Sequence, residues 1–350
     1  MRSFRGMARA LLVLVVFNPL WTHASEATPG QTWGRLPTPE TAGWSASKLG
    51  IADRYARELG TDAYLIVDRG MLVHEYGNTS RATNVHSMRK SILSLLFGIH
   101  ADRGEIALNK TMVELGINDR QPLTDAEKQA TIRQLMQARS GIYHAAAYET
   151  LSMDARRPAR GSHAPGTYFY YNNWDFNALG TIFHKLSNKT VFEALRDELA
   201  LPMQFENFNY TFDTRFHYEP ASEHPAYLIR LSARDLARIG LLVARNGRWG
   251  ERQLVPENWL AESLQSYSQT SNAGLGYGYL WWVGLNGRHF DNDFPGGVVS
   301  ARGHNGQYVV VDLARGIIVV HKVDTELKAR RSVSAKEFGQ LLKLILDART

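Results

Sequence analysis

The sequence predicts an α+β architecture, an α/β sandwich. One antiparallel sheet is built from both ends of the chain and flanked by helices, with a mainly helical lobe inserted between. Three observations predict it. Strand-forming runs occur early, at Tyr64–Val67 and Met71–Tyr76, and again late, at Tyr277–Val283, Gln307–Asp312 and Ile317–Val323. The stretch from about 100 to 265 carries helical rather than alternating periodicity. The chain closes on Phe338, Leu341, Leu342 and Ile345, spaced i, i+3, i+4, i+7, the apolar stripe of a helix lying on a sheet.

Residues 1–24 read as an export leader. Arg2, Arg5 and Arg9 precede the apolar run Ala10–Phe17, Asn18-Pro19 breaks it, and small residues follow at Thr22 and Ala24. Cleavage is expected after Ala24, with Ala27 as the alternative. The run is shorter than the roughly 20 residues that span a bilayer, so no membrane span is expected in the mature chain. A periplasmic or secreted location follows. The sequence has no cysteine, which excludes disulfides, thiol chemistry, Cys-ligated zinc and lipid attachment at an N-terminal cysteine.

Residues 25–45, rich in Pro, Thr, Gly and Ser, form an extended lead-in. The catalytic unit is 46–350, with 46–100 and 266–350 as the α/β lobe and 101–265 as the helical lobe. A helix runs from Ser47 to Leu59, and Asp68-Arg69-Gly70 turns a hairpin. Another helix starts near Ser87. Helices follow over Asp125–Ala138, Trp174–Lys185, Val191–Leu199, Ser232–Arg245 and Pro256–Leu264, the last with proline at its start.

A length of 350 residues and a hydrophobic content of 44% allow a large core. The formal charge is +6, and about half of it belongs to the three leader arginines. Short basic clusters occur only at Arg156-Arg157 and Arg330-Arg331, so no nucleic-acid partner is expected. No cofactor and no metal are expected either. His217, Glu219, Glu223 and His224 read as a charged loop, and there is no His-Glu-x-x-His. Gly-x-Ser-x-Gly is missing, which removes the α/β-hydrolase elbow.

The chemistry starts at Ser87-Met88-Arg89-Lys90. On a helix, Ile92, Leu95, Leu96 and Ile99 share an apolar face, while Ser87, Lys90, Ser91 and Ser94 share a small polar one. Lys90 stands one turn beyond Ser87, within reach of its hydroxyl. A serine hydroxyl becomes a useful nucleophile only when a base takes its proton, and a lysine serves once burial or nearby positive charge makes it neutral. Ser-x-x-Lys also occurs at Ser45-Ala46-Ser47-Lys48, which reads as ordinary helix capping.

A second motif lies in Pro165-Gly166-Thr167-Tyr168-Phe169-Tyr170-Tyr171-Asn172-Asn173, with Leu179-Gly180 downstream. Here the chain resembles the serine β-lactamase and penicillin-binding-protein superfamily, in its class C-like branch. That branch includes family VIII carboxylesterases, D-amino-acid peptidases and 6-aminohexanoate-dimer hydrolases. Its motif is Tyr-x-Asn. Two registers fit, Tyr170-x-Asn172 and Tyr171-x-Asn173, and the frame of Pro165, Gly166, Phe169 and Gly180 selects Tyr171 and Asn173. Asn172 stands where the family usually has Ser. The resemblance implies that Tyr171 shares in proton transfer with Ser87 and Lys90, and that Asn173 bonds the lysine or a substrate amide.

The third motif of the family is Lys-Thr-Gly or His-x-Gly, matched by His304-Asn305-Gly306 ahead of Gln307. The resemblance implies that the Ser87 and Gln307 N–H groups form the oxyanion hole, and that Gly306 lets substrate approach the backbone. Gln137–Ile142 resembles the family's Ser-Gly turn, and Tyr277–Trp282 its Gly-Tyr-Gly…Trp strand; the likeness covers roughly residues 40 to 348. The Ser-Asp-Asn of class A enzymes is absent. The implied activity is hydrolysis of an ester or amide of a small molecule or peptide through an acyl-serine. His304 in place of Lys weakens the hold on a substrate carboxylate and favours esters and small amides over β-lactams, although Arg302 could supply the charge. The other enzymatic reading is a β-lactamase or D-aminoacyl peptidase, and the non-enzymatic one an envelope binding protein with this fold.

Overall fold

The computed structural model describes residues 27–272, 274–327 and 331–350. The leader expected over residues 1–24 lies outside them. Helix α1 (Ala46–Leu59) starts where the Ser45 hydroxyl accepts the Lys48 N–H at 3.4 Å and stops at Gly60, φ 73°. The first Ser-x-x-Lys is therefore a helix cap, and Lys48 Nζ donates to the Asp347 carbonyl at 2.9 Å. Strands β1 (Ala63–Asp68) and β2 (Met71–Gly77) form the hairpin. Arg69 and Gly70 both take positive φ, 49° and 84°, so the turn's twist matches that of the strands.

A two-residue strand β3 (Thr83–Asn84) leads into α2 (Met88–Asp102), buried from Met88 to His100. The inserted segment contributes α3 (Asn173–Ser187), β4 (Thr214–His217) and β5 (Ala226–Leu231). Next come α4 (Ala233–Ala244) and α5 (Glu257–Ser263). The C-terminal part adds β6 (Ser268–Gln269), β7 (Leu275–Tyr277), β8 (Trp282–Gly284) and β9 (Val298–Gly303). Strands β10 (Gln307–Asp312) and β11 (Ile317–Lys322) precede the last helix, α6 (Ala335–Asp347).

Eight strands form one antiparallel sheet in the order β2-β1-β11-β10-β9-β8-β7-β6, drawn from both ends of the chain. Its central strands are buried on both faces, and alternate side chains feed two cores. Tyr64, Ile66, Val310 and Val319 pack with Leu49, Phe338, Leu341 and Ile345 of α1 and α6. Leu65, Val67, Val309, Val311 and Ile318 pack with the opposite layer, where α2 and α4 supply Ile92, Leu96, Leu236 and Ile239.

Several elements differ from the sequence reading. The run 277–283 is two strands, not one. Tyr279 and Leu280 turn the chain, with Leu280 at φ 64°, and Trp282 pairs back onto Tyr277. Two tertiary bonds hold that turn, Ser91 Oγ to the Leu280 carbonyl (2.7 Å) and Leu280 N–H to the Met136 carbonyl (3.1 Å). Strand β9 was not anticipated, and β4 and β5, within the segment read as helical, make a small sheet with β3. Helix α4, read with that insert, packs on β1, β10 and β11 of the main sheet. The helix expected over 125–138 breaks into a 3-10 turn at Glu127–Gln129 and a short helix at Ile132–Met136, restarted by the Thr131–Gln134 capping box. The lead-in is not merely extended, since Trp33 and Trp44 are buried and Trp44 Nε1 donates to Asp68 Oδ2 at 2.9 Å.

Candidate active site

Ser87 is the N-cap residue of α2, yet its side chain caps nothing. The hydroxyl instead meets Lys90 Nζ at 2.9 Å. The same Nζ stands 2.8 Å from Tyr171 Oη and 2.8 Å from Asn173 Oδ1, and lies over the rings of Tyr171 (4.3 Å) and Phe176 (4.4 Å). Tyr171 and Asn173 enter from the start of α3. Ser87, Lys90, Tyr171 and Asn173 therefore converge, although 84 positions separate Ser87 from Tyr171 in the numbering.

The neighbouring Tyr-x-Asn register goes elsewhere. Tyr170 Oη donates to the Met153 carbonyl at 2.7 Å. Asn172 is the N-cap of α3, its Oδ1 accepting the Trp174 N–H at 2.9 Å, a role that Ser also fills.

Lys90 is 1% exposed and has no carboxylate partner among the described residues. Burial, reinforced by the Arg89 charge, holds its amine well below the usual lysine range. Burial pushes the Tyr171 phenol up to about 12, against the opposing pull of Ser87 and Arg89. Asn173 Nδ2 donates to the Tyr148 carbonyl at 2.6 Å, which orients the amide and leaves Oδ1 as an acceptor facing Lys90. A neutral amine has two protons and one lone pair. One proton satisfies Asn173, the second satisfies one hydroxyl oxygen, and the lone pair is left for the proton of the other hydroxyl.

The residue before Ser87 escaped sequence reasoning. His86 is held at φ 47° by its N–H bond to Asn84 Oδ1 (2.9 Å), and its ring bridges Thr325 Oγ1 (2.7 Å) and Tyr148 Oη (2.8 Å). Burial, with His304 and Arg89 adding to it, lowers the imidazole to about 3, so His86 is neutral. His304 is an exposed turn residue whose ring lies 5.8 Å from His86, edge to face.

Gly303 and Gln307 pair across the turn 304–306. The glycine that closes on the segment leading to Ser87 is Gly303. A Cβ there would lie 2.7 Å from the Val85 carbonyl oxygen. Gly306, at φ 94°, meets Val333, where a Cβ would come within 2.7 Å. Its lack of a side chain thus has a packing reason of its own. Gln307 is fully buried, and its Nε2 donates to the Asn84 carbonyl at 2.9 Å. The Ser87 N–H donates to no other described residue.

Trp282 stacks on Tyr171 at 5.3 Å and also lies under the Arg302 guanidinium at 5.4 Å. Arg302 is half-buried, bonds Ser300 Oγ (3.0 Å) and His289 Nε2 (3.1 Å), and packs over Phe290 at 4.0 Å. It has no carboxylate partner among the described residues and lines a cavity of about 520 Å³ with Arg288, His289 and Lys336. No group of three or more metal-ligating side chains occurs among the described residues.

A sheet built from both chain ends, an intervening segment, and serine, lysine and tyrosine meeting beside the sheet define a β-lactamase-like protein. The chain belongs to the Beta-lactamase family, whose model matches residues 53–335. A Bacillus anthracis protein assigned as a 6-aminohexanoate-dimer hydrolase superposes with a TM-score of 0.65 at 18% identity, covering 92% of this chain and 88% of its own. The octameric penicillin-binding protein homologue of Pyrococcus abyssi gives 0.62 at 15%, covering 86% and 76%. EstCE1, described as a hydrolase with promiscuous acyltransferase activity, gives 0.59 at 15%, covering 87% and 97%. At these identities the likeness concerns the fold. No curated protein matches the chain.

Proposed function

We propose that the protein is an exported serine hydrolase that cleaves an ester or amide bond of a small substrate through an acyl-serine. One observation carries this reading. Lys90, buried without an acid, touches the Ser87 hydroxyl, the Tyr171 phenol and the Asn173 amide at once.

The Lys90 lone pair takes the Ser87 proton while Oγ attacks the carbonyl carbon. The N–H groups of Ser87 and Gln307 receive the negative charge on the carbonyl oxygen. As the tetrahedral adduct collapses, the leaving oxygen or nitrogen takes a proton passed from Lys90 through Tyr171. Water then loses a proton to the same pair, attacks the acyl carbon and frees the acid, and Ser87 recovers its proton. Because Lys90 and Tyr171 share protons, the pH profile belongs to the pair.

His304 in the third motif favours neutral esters and small amides. The Arg302 cavity favours a second reading, in which the substrate carries a carboxylate, as β-lactams and D-aminoacyl peptides do. Rates on p-nitrophenyl esters, nitrocefin and D-alanyl peptides separate the two. Under the first reading the neutral ester is turned over fastest and Ser87→Ala abolishes it. Turnover that survives Ser87→Ala overturns the mechanism, and a folded wild type inert toward all three substrates and toward serine probes marks a binding protein.

A further inference from the structure

Arg89, the residue between the two ends of the Ser-x-x-Lys motif, takes part in none of the proton transfers above and has an unusual setting. It is 1% exposed and has no carboxylate partner among the described residues. One of its nitrogens, Nη1, donates to the His86 carbonyl at 3.1 Å, while Nε and Nη2 are buried without a hydrogen bond. Its guanidinium lies between two tyrosine rings, 5.4 Å from Tyr148 and 5.1 Å from Tyr227. A guanidinium does not lose its proton in a protein, so a permanent charge is buried here with only ring faces and one carbonyl around it. Such a charge is expensive for the fold.

What surrounds Lys90 shows what the charge does. From α2 and its lead come His86, Ser87 and Arg89. From α3 and the turn before it come Tyr171, Asn173 and the Phe176 ring. Tyr148 and Tyr227 close the far side of Arg89, and the Tyr277 ring lies 5.9 Å from that of Tyr171. Lys322, on β11, adds positive potential at His86. The buried carboxyl nearby, Asp175, is taken up by Ser140 Oγ (2.5 Å) and Asn172 Nδ2 (3.3 Å), and its burial favours the protonated form. Of these groups Arg89 alone holds a fixed charge.

We infer that Arg89 is a positioning residue of an electrostatic kind: its unpaired charge disfavours a second positive charge on Lys90 and so keeps that amine free to take the Ser87 proton. The same side chain, through the His86 carbonyl, steadies the left-handed turn that presents Ser87. The inference rests on the hydrolase reading for its purpose but not for its physics. The repulsion exists whether or not the site turns over substrate.

The test measures Lys90 directly. Lysine ¹³Cε resonances are followed against pH in wild type, Arg89→Met, Arg89→Gln and Arg89→Lys, with Lys90→Arg assigning the signal. Losing the charge raises the Lys90 titration by about one pH unit, a tenfold change in neutral amine on the acid side. The acid limb of kcat/KM on a neutral ester moves the same way, and Arg89→Lys moves both less. Replacing an uncompensated buried charge by Met leaves Tm equal or higher. An unmoved Lys90 titration in a folded Met or Gln variant overturns the inference. So does failure of both variants to fold, since Arg89 would then be structural. A shifted Lys90 titration in a protein without Ser87-dependent turnover sinks the hydrolase reading and leaves this one standing.

Discussion

Gln307 Nε2 donates to the Asn84 carbonyl at 2.9 Å, joining the first residue of β10 to the segment three residues ahead of Ser87. The two oxyanion donors proposed above, Ser87 and Gln307, belong to chain segments 220 positions apart in the numbering, and this side chain ties them. The Gln307 carboxamide is fully buried and its Oε1 has no partner among the described residues, so the bond to Asn84 is its one polar contact there.

Gln307→Leu removes the tie and keeps the backbone N–H. Stability should change little, by about 1 kcal/mol, since a half-satisfied buried amide gives way to an apolar group. kcat on an ester should fall by about tenfold or more as the two donors lose register. Melting curves beside steady-state kinetics check both. An unchanged kcat would show that the tie does not set the donors.

The two adjacent tyrosines give opposite expectations. Tyr171→Phe removes the hydroxyl 2.8 Å from Lys90 and should lower kcat/KM by about 10² to 10⁴. Tyr170→Phe removes only a bond to the Met153 carbonyl, costing about 1 kcal/mol of stability with activity within a few-fold of wild type. Paired kinetics on one ester decide it, and the reverse ranking would move the site to the other register.

This contrast shows what the sequence makes legible. Ser87 and Lys90 are readable because helix geometry alone brings i and i+3 together, and the Pro-Gly-x-x-Phe frame selects Tyr171 over Tyr170. The antiparallel sheet from both chain ends is readable from its alternating and apolar runs. His86 and Tyr148 are not readable. Both are non-glycine residues at positive φ, 47° and 66°, and distant residues complete their settings, Thr325 and Tyr148 at the His86 ring and Glu219 at the Tyr148 N–H. The 277–284 hairpin was hidden for a similar reason, since Ser91 and Met136 fix a turn that no local glycine-asparagine signal announces. The 125–138 helix failed because the capping box at Thr131 starts a new helix inside an apolar pattern that runs on across it.

Arg302 offers a test of substrate charge. Arg302→Gln should raise KM for an ester ending in a carboxylate by about tenfold to a hundredfold, the loss of one charged hydrogen bond, and leave the matched neutral ester alone. Comparing the pair on both proteins is sufficient. Equal effects on the two esters would show that the cavity does not receive the substrate's acid.

Lys322 sets a pH dependence of stability. Its ammonium is buried, donates to the Thr83 carbonyl at 3.1 Å and to that of Leu231, and burial lowers it to about 7. An unfolded lysine titrates near 10.4, so between about pH 7 and 10 the unfolded chain holds the proton more tightly. Stability therefore rises with pH through that window and is flat in this contribution below it. From pH 7 to 9 the gain is roughly 2 kcal/mol, and Lys322→Met should abolish it. Denaturant unfolding of both proteins at several pH values checks the difference, and parallel curves would refute it.

The most direct measurement is the intact mass of the protein during turnover of a slow ester, followed by peptide mapping of the adduct. The account predicts an acyl group on Ser87, none on Ser45 despite its matching Ser-x-x-Lys, and no adduct in Lys90→Met. An acyl group on another residue, or full labelling of Ser87 without Lys90, would contradict it.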